Sequence, residues 1–341
     1  MKLEKFEGCW TALITPFTRK GEVDFEGLEK NILFQMENGA NLVPTGTTGE
    51  CPTLDWREHD RVITKTAKLA KDKAFVIAGT GSNSTKEALR GTKHAAEVGA
   101  QAVLLVDCYY NGPSSLELRT QYYELIAKAH RKTFVVPYII PGRTGCKLEV
   151  EDLAILHRRF KNVRSVKEAT ADLERMAKTR RLLGEDFDIL SGDDDKTFDM
   201  MTRPDIRASG VISVMSNIVP GPVGEMVKAI SDGNMARANQ LKDLLDPLFK
   251  VVTVNTTESY EGFEVPCKFR NPVAIKTMMK GLGMPSGSFR APLGKMTPKG
   301  VEIARSALKK VYEMDRGILT PIQEFYKVNL EERLSNDRYW K

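Results

Sequence analysis

An α/β fold, a (β/α)8 barrel followed by a C-terminal helical extension, is predicted by three observations. Eight short β-branched or apolar runs recur at regular spacing, helical patterns fill the intervals, and about 125 residues remain after the eighth run, more than one closing helix can use. The runs are residues 11–14, 41–44, 75–78, 102–106, 134–138, 163–167, 187–190 and 210–214, about 23 to 34 residues apart. Strands alternating with helices at this spacing demand a parallel sheet. An open, doubly wound sheet is the competing arrangement, but no G-x-G-x-x-G follows the first run to support a dinucleotide-binding version of it.

The helices follow in order. Asp24 opens D-F-E-G-L-E-K-N-I-L-F-Q-M-E-N-G, apolar at helical spacing, with Gly39 where a C-cap belongs. Residues 57–71 continue the alternation. Ser84 and Glu87 form a capping-box pattern before a helix that Gly99 ends. Further helices fit 117–128, 151–159 and 173–183. Beyond the eighth run, 224–231, 235–248, 272–281, 297–314 and 321–334 read as helices with Leu, Met and Val stripes, suited to core and interface. Residues 251–268 are polar and aperiodic and read as a loop. The expected division is a catalytic barrel over 1–232 and a helical domain over 233–341.

Composition excludes several classes of function. The net charge of +6 is dispersed, 51 basic against 45 acidic residues with no long basic run, unlike the concentrated patch of a nucleic-acid binder. Five scattered cysteines, Cys9, Cys51, Cys108, Cys146 and Cys267, form no C-x-x-C pair, which argues against a disulfide scaffold and a zinc site. The N-terminal M-K-L-E-K-F-E-G-C-W lacks a signal peptide's apolar region and no run of eighteen apolar residues occurs, so a soluble, unprocessed, cytoplasmic protein without membrane partners is expected.

In such barrels, chemistry gathers at the C-terminal ends of the strands. The second run ends in T-G-T-T-G-E, residues 45–50, where glycines let backbone N–H groups point outward to an oxyanion or carboxylate; a glycine-permitted turn accounts for the pattern equally. The fourth run leads to Tyr109 and Tyr110, a pair suited to packing or an interface as well as to chemistry. In the fifth, alternation puts Phe134, Val136 and Tyr138 on one face, and Arg143 follows with a planar fork of donors for a carboxylate.

The sixth run ends at Lys167. Alternation places Val163, Ser165 and Lys167 on one face and sends Glu168 to the other, so Glu168 need not neutralise the lysine. A lysine buried for structure alone is costly, since lowering its pKa by about three units costs roughly 4 kcal/mol; a nucleophilic lysine gains from that same site. The seventh run leads to S-G-D-D-D, residues 191–195, read as a solvated turn and helix N-cap. The four histidines lie on predicted helices or, for His130, just past the end of one, and form no triad with a serine.

Together these residues resemble the dihydrodipicolinate synthase and N-acetylneuraminate lyase family of class I, Schiff-base aldolases. The likeness runs from F-E-G-C-W-T-A-L-I-T-P-F at Phe6 through G-V-I-S-V at Gly210 and resumes weakly at N-P-V-A-I-K from Asn271. It implies the same TIM barrel with a helical C-terminal domain, Lys167 as the lysine forming an imine with pyruvate, and no metal or other cofactor. Tyr138 would relay protons with Thr47, and Tyr110 would complete the relay in a neighbouring subunit, within a homotetramer built as a dimer of dimers. Thr48 would hold the pyruvate carboxylate, with the main chain of Ile212 near the imine. P-G-R-T-G, residues 141–145, is similar to the members whose arginine binds aspartate semialdehyde, which implies condensation of pyruvate with L-aspartate-4-semialdehyde in lysine and diaminopimelate biosynthesis. A sugar-derived aldehyde, as in 2-keto-3-deoxygluconate aldolase or N-acetylneuraminate lyase, is the alternative, and a barrel that binds a keto acid without turnover is a third reading. Trp56, His59, Asn83, Glu87 and Tyr109 match positions around the family's allosteric lysine pocket. Three features depart from the pattern: Ile139 where many members have asparagine, Ser216-Asn217 after the eighth strand, and a longer C-terminal region.

Overall fold

In the computed structural model, which describes residues 2–341, eight parallel strands close into a TIM barrel. They are β1 (Gly8–Ala12), β2 (Asn41–Val43), β3 (Ile77–Gly79), β4 (Ala102–Val106), β5 (Phe134–Ile139), β6 (Ser165–Glu168), β7 (Asp188–Ser191) and β8 (Gly210–Ser213). β1 pairs with both β2 and β8, and a bridge between Leu42 and Val76 joins the two remaining edges. Closure leaves no sheet edge exposed to another chain.

Two apolar clusters follow from strand alternation. Trp10, Val43, Ile77, Leu104, Val136 and Ile212 fill the barrel interior, and Tyr138 belongs with them. Residues of opposite parity, including Val135, Ile139, Val166 and Val211, pack outward beneath the helices. Val163 also lies in the outer cluster, against expectation, because β6 begins only at Ser165 and alternation does not extend back to it.

The helix Phe25–Glu37 is capped by Asp24, and Gly39 turns the chain at φ +76, a conformation that costs glycine little. The predicted capping box at Ser84 does not form: Glu87 instead accepts a 2.5 Å hydrogen bond from the Ser82 hydroxyl, which draws it away from the helix start. The helical stretch from Ser115 to Ala129 contains a π turn at Arg119–Tyr123 that brings the Tyr123 hydroxyl to 2.6 Å from the buried Asp107 carboxylate.

The helix Pro220–Ser231 follows β8 and packs against β1, completing the barrel, and beyond it lie helices Met235–Phe249, Val273–Leu282 and Pro298–Met314. The single helix predicted over 321–334 is two, Thr320–Tyr326 and Leu330–Ser335, because Lys327 turns left-handed at φ 55 and Asn329 caps a new start. The region expected to be a loop, 251–268, is instead an antiparallel hairpin of β9 (Val254–Tyr260) and β10 (Phe263–Phe269). It turns on Glu261 and Gly262, both at positive φ as a two-residue hairpin turn requires. Most of the hairpin stands in solvent, so its faces carry no apolar-polar alternation for a sequence reading to detect. No helix among the described residues is long and apolar enough to cross a membrane.

Candidate active site

Parallel pairing sets Tyr138 of β5 directly beside Lys167 of β6, and the ammonium lies 4.1 Å from the phenol ring centroid. Both side chains are buried at 5 % exposure. Burial draws the Lys167 pKa down to about 8, partly opposed by the nearby carboxylates of Asp193 and Asp194. It pushes Tyr138 up to about 12, opposed by the Arg143 charge and a hydrogen bond with the Thr47 hydroxyl. A lysine near pH 8 reaches its neutral, nucleophilic form under mild conditions, while the phenol keeps its proton to give.

This pair sets a pH dependence. The neutral amine fraction of Lys167 falls tenfold per unit below its pKa, so the rate of imine formation with a keto acid should rise about a hundredfold from pH 6 to 9 and level off above 8. Stopped-flow measurement across that range checks it; an unperturbed lysine would give no plateau below about pH 10.

The loop S-G-D-D-D is not the solvated turn expected, because Asp194 turns inward while Asp195 stays exposed. Asp194 is buried and accepts from the backbone N–H of Val214 at 3.0 Å and of Met215 at 3.1 Å, and from the Ser213 hydroxyl. A run of three aspartates gives no hint that one turns inward to terminate β8. A Cβ at Gly192 would come within 2.7 Å of the Ala169 Cβ and within 3.1 Å of Glu168 O and of Cε of Lys167, so the absence of a side chain there lets the loop pack against the end of β6. Glu168 points away from Lys167 as expected, but it is fully buried and pairs with Arg175 at 3.2 Å.

The T-G-T-T-G-E loop is held at both ends in left-handed backbone, Thr45 at φ 54 and Glu50 at φ 55. Such residues cost on the order of 1–3 kcal/mol each and persist only where surroundings fix them. The Thr45 hydroxyl donates to Gly79 O at 2.9 Å, and Thr15 donates to Gly49 O at 2.7 Å. Glu50 and Lys276 form an ion pair of 2.5 Å with neither side chain exposed, and the ammonium also donates to Thr15 O and Ser288 O. Lys276 lies on the helix Val273–Leu282, so the C-terminal extension fixes the loop that carries Thr47 and Thr48.

Thr48 is buried, and its hydroxyl accepts from Nδ2 of Asn271 at 2.9 Å; Oδ1 of Asn271 is buried without a partner. Above the loop opens a cavity of about 500 Å³ whose walls include Thr47, Arg143, Lys268, Arg270, Asn271 and Lys295. The Arg143 guanidinium donates to Asn271 O at 2.9 Å. Ile212 sits in the barrel interior. Ile139 packs in the outer cluster, so this departure from the family pattern faces away from the site. Asn217 ties the strand ends together, donating to Ala12 O at 2.7 Å and accepting from Ile14 N at 3.1 Å. Asn271, Arg270, Gly192 and the Glu50–Lys276 pair escaped the sequence reading, although N-P-V-A-I-K was a partial signal for two of them.

Tyr110 stands apart, 94 % exposed and at φ 76. Asn83 and Tyr109 share a second cavity, linked by a 2.7 Å bond from Tyr109 N to Asn83 Oδ1. Trp56 and His59 meet edge to face at 4.8 Å outside that cavity, and burial lowers the His59 pKa to about 4. Glu87 accepts from Ser82, the neighbour of Asn83, and lies close enough to Tyr109 for its charge, after burial, to help raise that phenol's pKa. Among the described residues no three His, Cys, Asp or Glu side chains gather as a metal-ligand group.

Known proteins resemble the chain over most of its length. The chain is 39% identical over 306 residues to the 4-hydroxy-tetrahydrodipicolinate synthase of Aquifex aeolicus, covering 89% of this chain and 97% of that one. It is 40% identical over 309 residues to the synthase of the same name from Syntrophus aciditrophicus, covering 90% and 98%. The crystal structure of dihydrodipicolinate synthase from Aquifex aeolicus superposes with a TM-score of 0.81 at 37% identity, over 92% of this chain and 99% of that chain. The 4-hydroxy-tetrahydrodipicolinate synthase from Methylacidiphilum fumariolicum gives 0.82 at 34%, over 94% and 99%. Residues 5–311 match the model of the dihydrodipicolinate synthetase family, past the point where the motif likeness weakens, and the chain belongs to that family.

Proposed function

We propose that the chain is a lyase that condenses pyruvate with L-aspartate-4-semialdehyde to 4-hydroxy-tetrahydrodipicolinate through an imine on Lys167. The carrying observation is the buried Lys167–Tyr138 pair beneath a vestibule that presents Arg143. Neutral Lys167 adds to the pyruvate ketone, and loss of water leaves the imine, with Thr48 and its backbone receiving the carboxylate. The imine draws electrons from C3, which loses a proton to give the enamine. C3 then attacks the aldehyde, whose oxygen takes a proton from Tyr138, resupplied through Thr47. The aldehyde's amino group finally adds to the imine carbon and displaces Lys167, closing the ring. No metal or other cofactor enters this sequence.

Arg143 would receive the aldehyde's carboxylate, and the unpartnered Oδ1 of Asn271 offers an acceptor to its ammonium. A fork of donors suits a carboxylate better than the hydroxyls of a sugar, which disfavours the sugar-aldehyde alternative. Tyr110 would reach into a second copy within a dimer of dimers, a reading that its exposure supports. Residues 1–232 would form the catalytic barrel in a cytoplasmic enzyme, and Trp56, His59, Asn83, Glu87 and Tyr109 would bind L-lysine once two copies meet.

A coupled assay comparing aspartate semialdehyde with sugar-derived aldehydes tests the reading. Turnover of the semialdehyde alone is expected; equal or better turnover of a sugar aldehyde would sink it. The same assay across millimolar L-lysine should show inhibition, and a flat response would remove the regulatory site.

A further inference from the structure

The vestibule presents four cations, Arg143, Lys268, Arg270 and Lys295. Among the described residues none of them has a carboxylate within 4 Å, whereas nearby Arg290 is paired in bidentate fashion with Glu58. Glu50 is the one carboxylate in the cavity wall, and both its oxygens are engaged, by Lys276 at 2.5 Å and by the Arg290 N–H at 3.3 Å. Its charge is therefore spent inside the wall.

The two guanidiniums are fixed reciprocally. Arg143, on the loop after β5, donates to Asn271 O at 2.9 Å; Arg270, at the end of the hairpin, donates to Gly142 O at 3.0 Å. They are close enough that the Arg270 charge disfavours that of Arg143. Each bond uses one N–H of five, leaving the remaining donors of both forks for a ligand. Two like charges latched together without a counter-ion are a standing electrostatic cost that a bound anion relieves.

We propose that Arg270 is a second anion anchor of the vestibule, gripping with Arg143 the carboxylate of the incoming aldehyde, so that the hairpin β9–β10 helps set substrate specificity. This rests on the vestibule being the aldehyde's entrance. Pyruvate, bound at Thr48 and Lys167, does not depend on Arg270.

Arg270→Ala should raise KM for aspartate semialdehyde about 10- to 100-fold, the loss expected for a charge-assisted hydrogen bond, with kcat and the pyruvate KM nearly unchanged. Succinate, a non-reactive dicarboxylate, serves as a probe by calorimetry on the pyruvate-loaded enzyme, and its binding should weaken in parallel. That readout stands even if a different aldehyde proves to be the substrate. Adding Arg270→Ala to Arg143→Ala separates direct contact from propping of the Arg143 loop. A further loss of about tenfold in succinate affinity supports direct contact. No further loss, or unchanged succinate binding in the single variant, overturns the proposal. Arg270→Lys, which retains the charge, should keep part of the affinity; affinity no better than that of Arg270→Ala would also count against it.

Discussion

Lys167→Met should lose condensation activity by about 10⁴-fold or more while the protein melts no lower than its parent at pH 7. The first half follows from removing the amine set beside Tyr138 in the barrel interior. The second follows from proton linkage. An unfolded lysine titrates near 10.5 and the folded one near 8, so the unfolded chain binds more protons between those values. The stability contributed by this group therefore rises with pH through that window and is lowest below 8, where the burden is roughly 3 kcal/mol. Methionine fills the space and carries no charge, but it leaves Asp193 and Asp194 without their cation, which offsets part of the gain. Steady-state kinetics and calorimetry on one preparation check both halves. A variant that is inactive because it melts well below the parent would mean that Lys167 supports the fold instead of taxing it.

Lys276→Met should be strongly destabilising and should also lower activity. It strands the Glu50 carboxylate, 0 % exposed, in a site where Lys276 is its principal counter-charge. Breaking one half of a buried pair costs about 3–5 kcal/mol, which for a chain of this length corresponds to a fall in Tm of roughly 4–7 °C. Glu50 lies at the left-handed end of the loop bearing Thr47 and Thr48, so kcat/KM should fall more than tenfold even well below the melting range. The double variant Glu50→Gln with Lys276→Met removes both charges and should cost less than the sum of the two single changes, by about 0.5–3 kcal/mol. Strict additivity would show that the two side chains do not stabilise each other.

The barrel and its chemical centre were legible because both rest on local regularities. Strand-helix spacing carried the fold, and period-two alternation turned Tyr138 and Lys167 inward while sending Glu168 outward. What the sequence concealed depends on contacts between distant segments. The inward turn of Asp194, the 226-residue separation between Glu50 and Lys276, and the approach of Arg270 to the Arg143 loop leave no periodic trace. The hairpin was invisible for a different reason: both its faces are largely solvated, so the alternation that marks a half-buried strand is missing. The capping box at Ser84 failed because Glu87 found a competing hydroxyl on Ser82, a local contest that the pattern S-x-x-E cannot resolve.

Incubation with pyruvate and borohydride, followed by peptide mass spectrometry, tests the account most directly. A single reduced adduct on Lys167, formed faster as pH rises toward 8, is the predicted result; the absence of an adduct, or its appearance on Lys276 or a surface lysine, would contradict it.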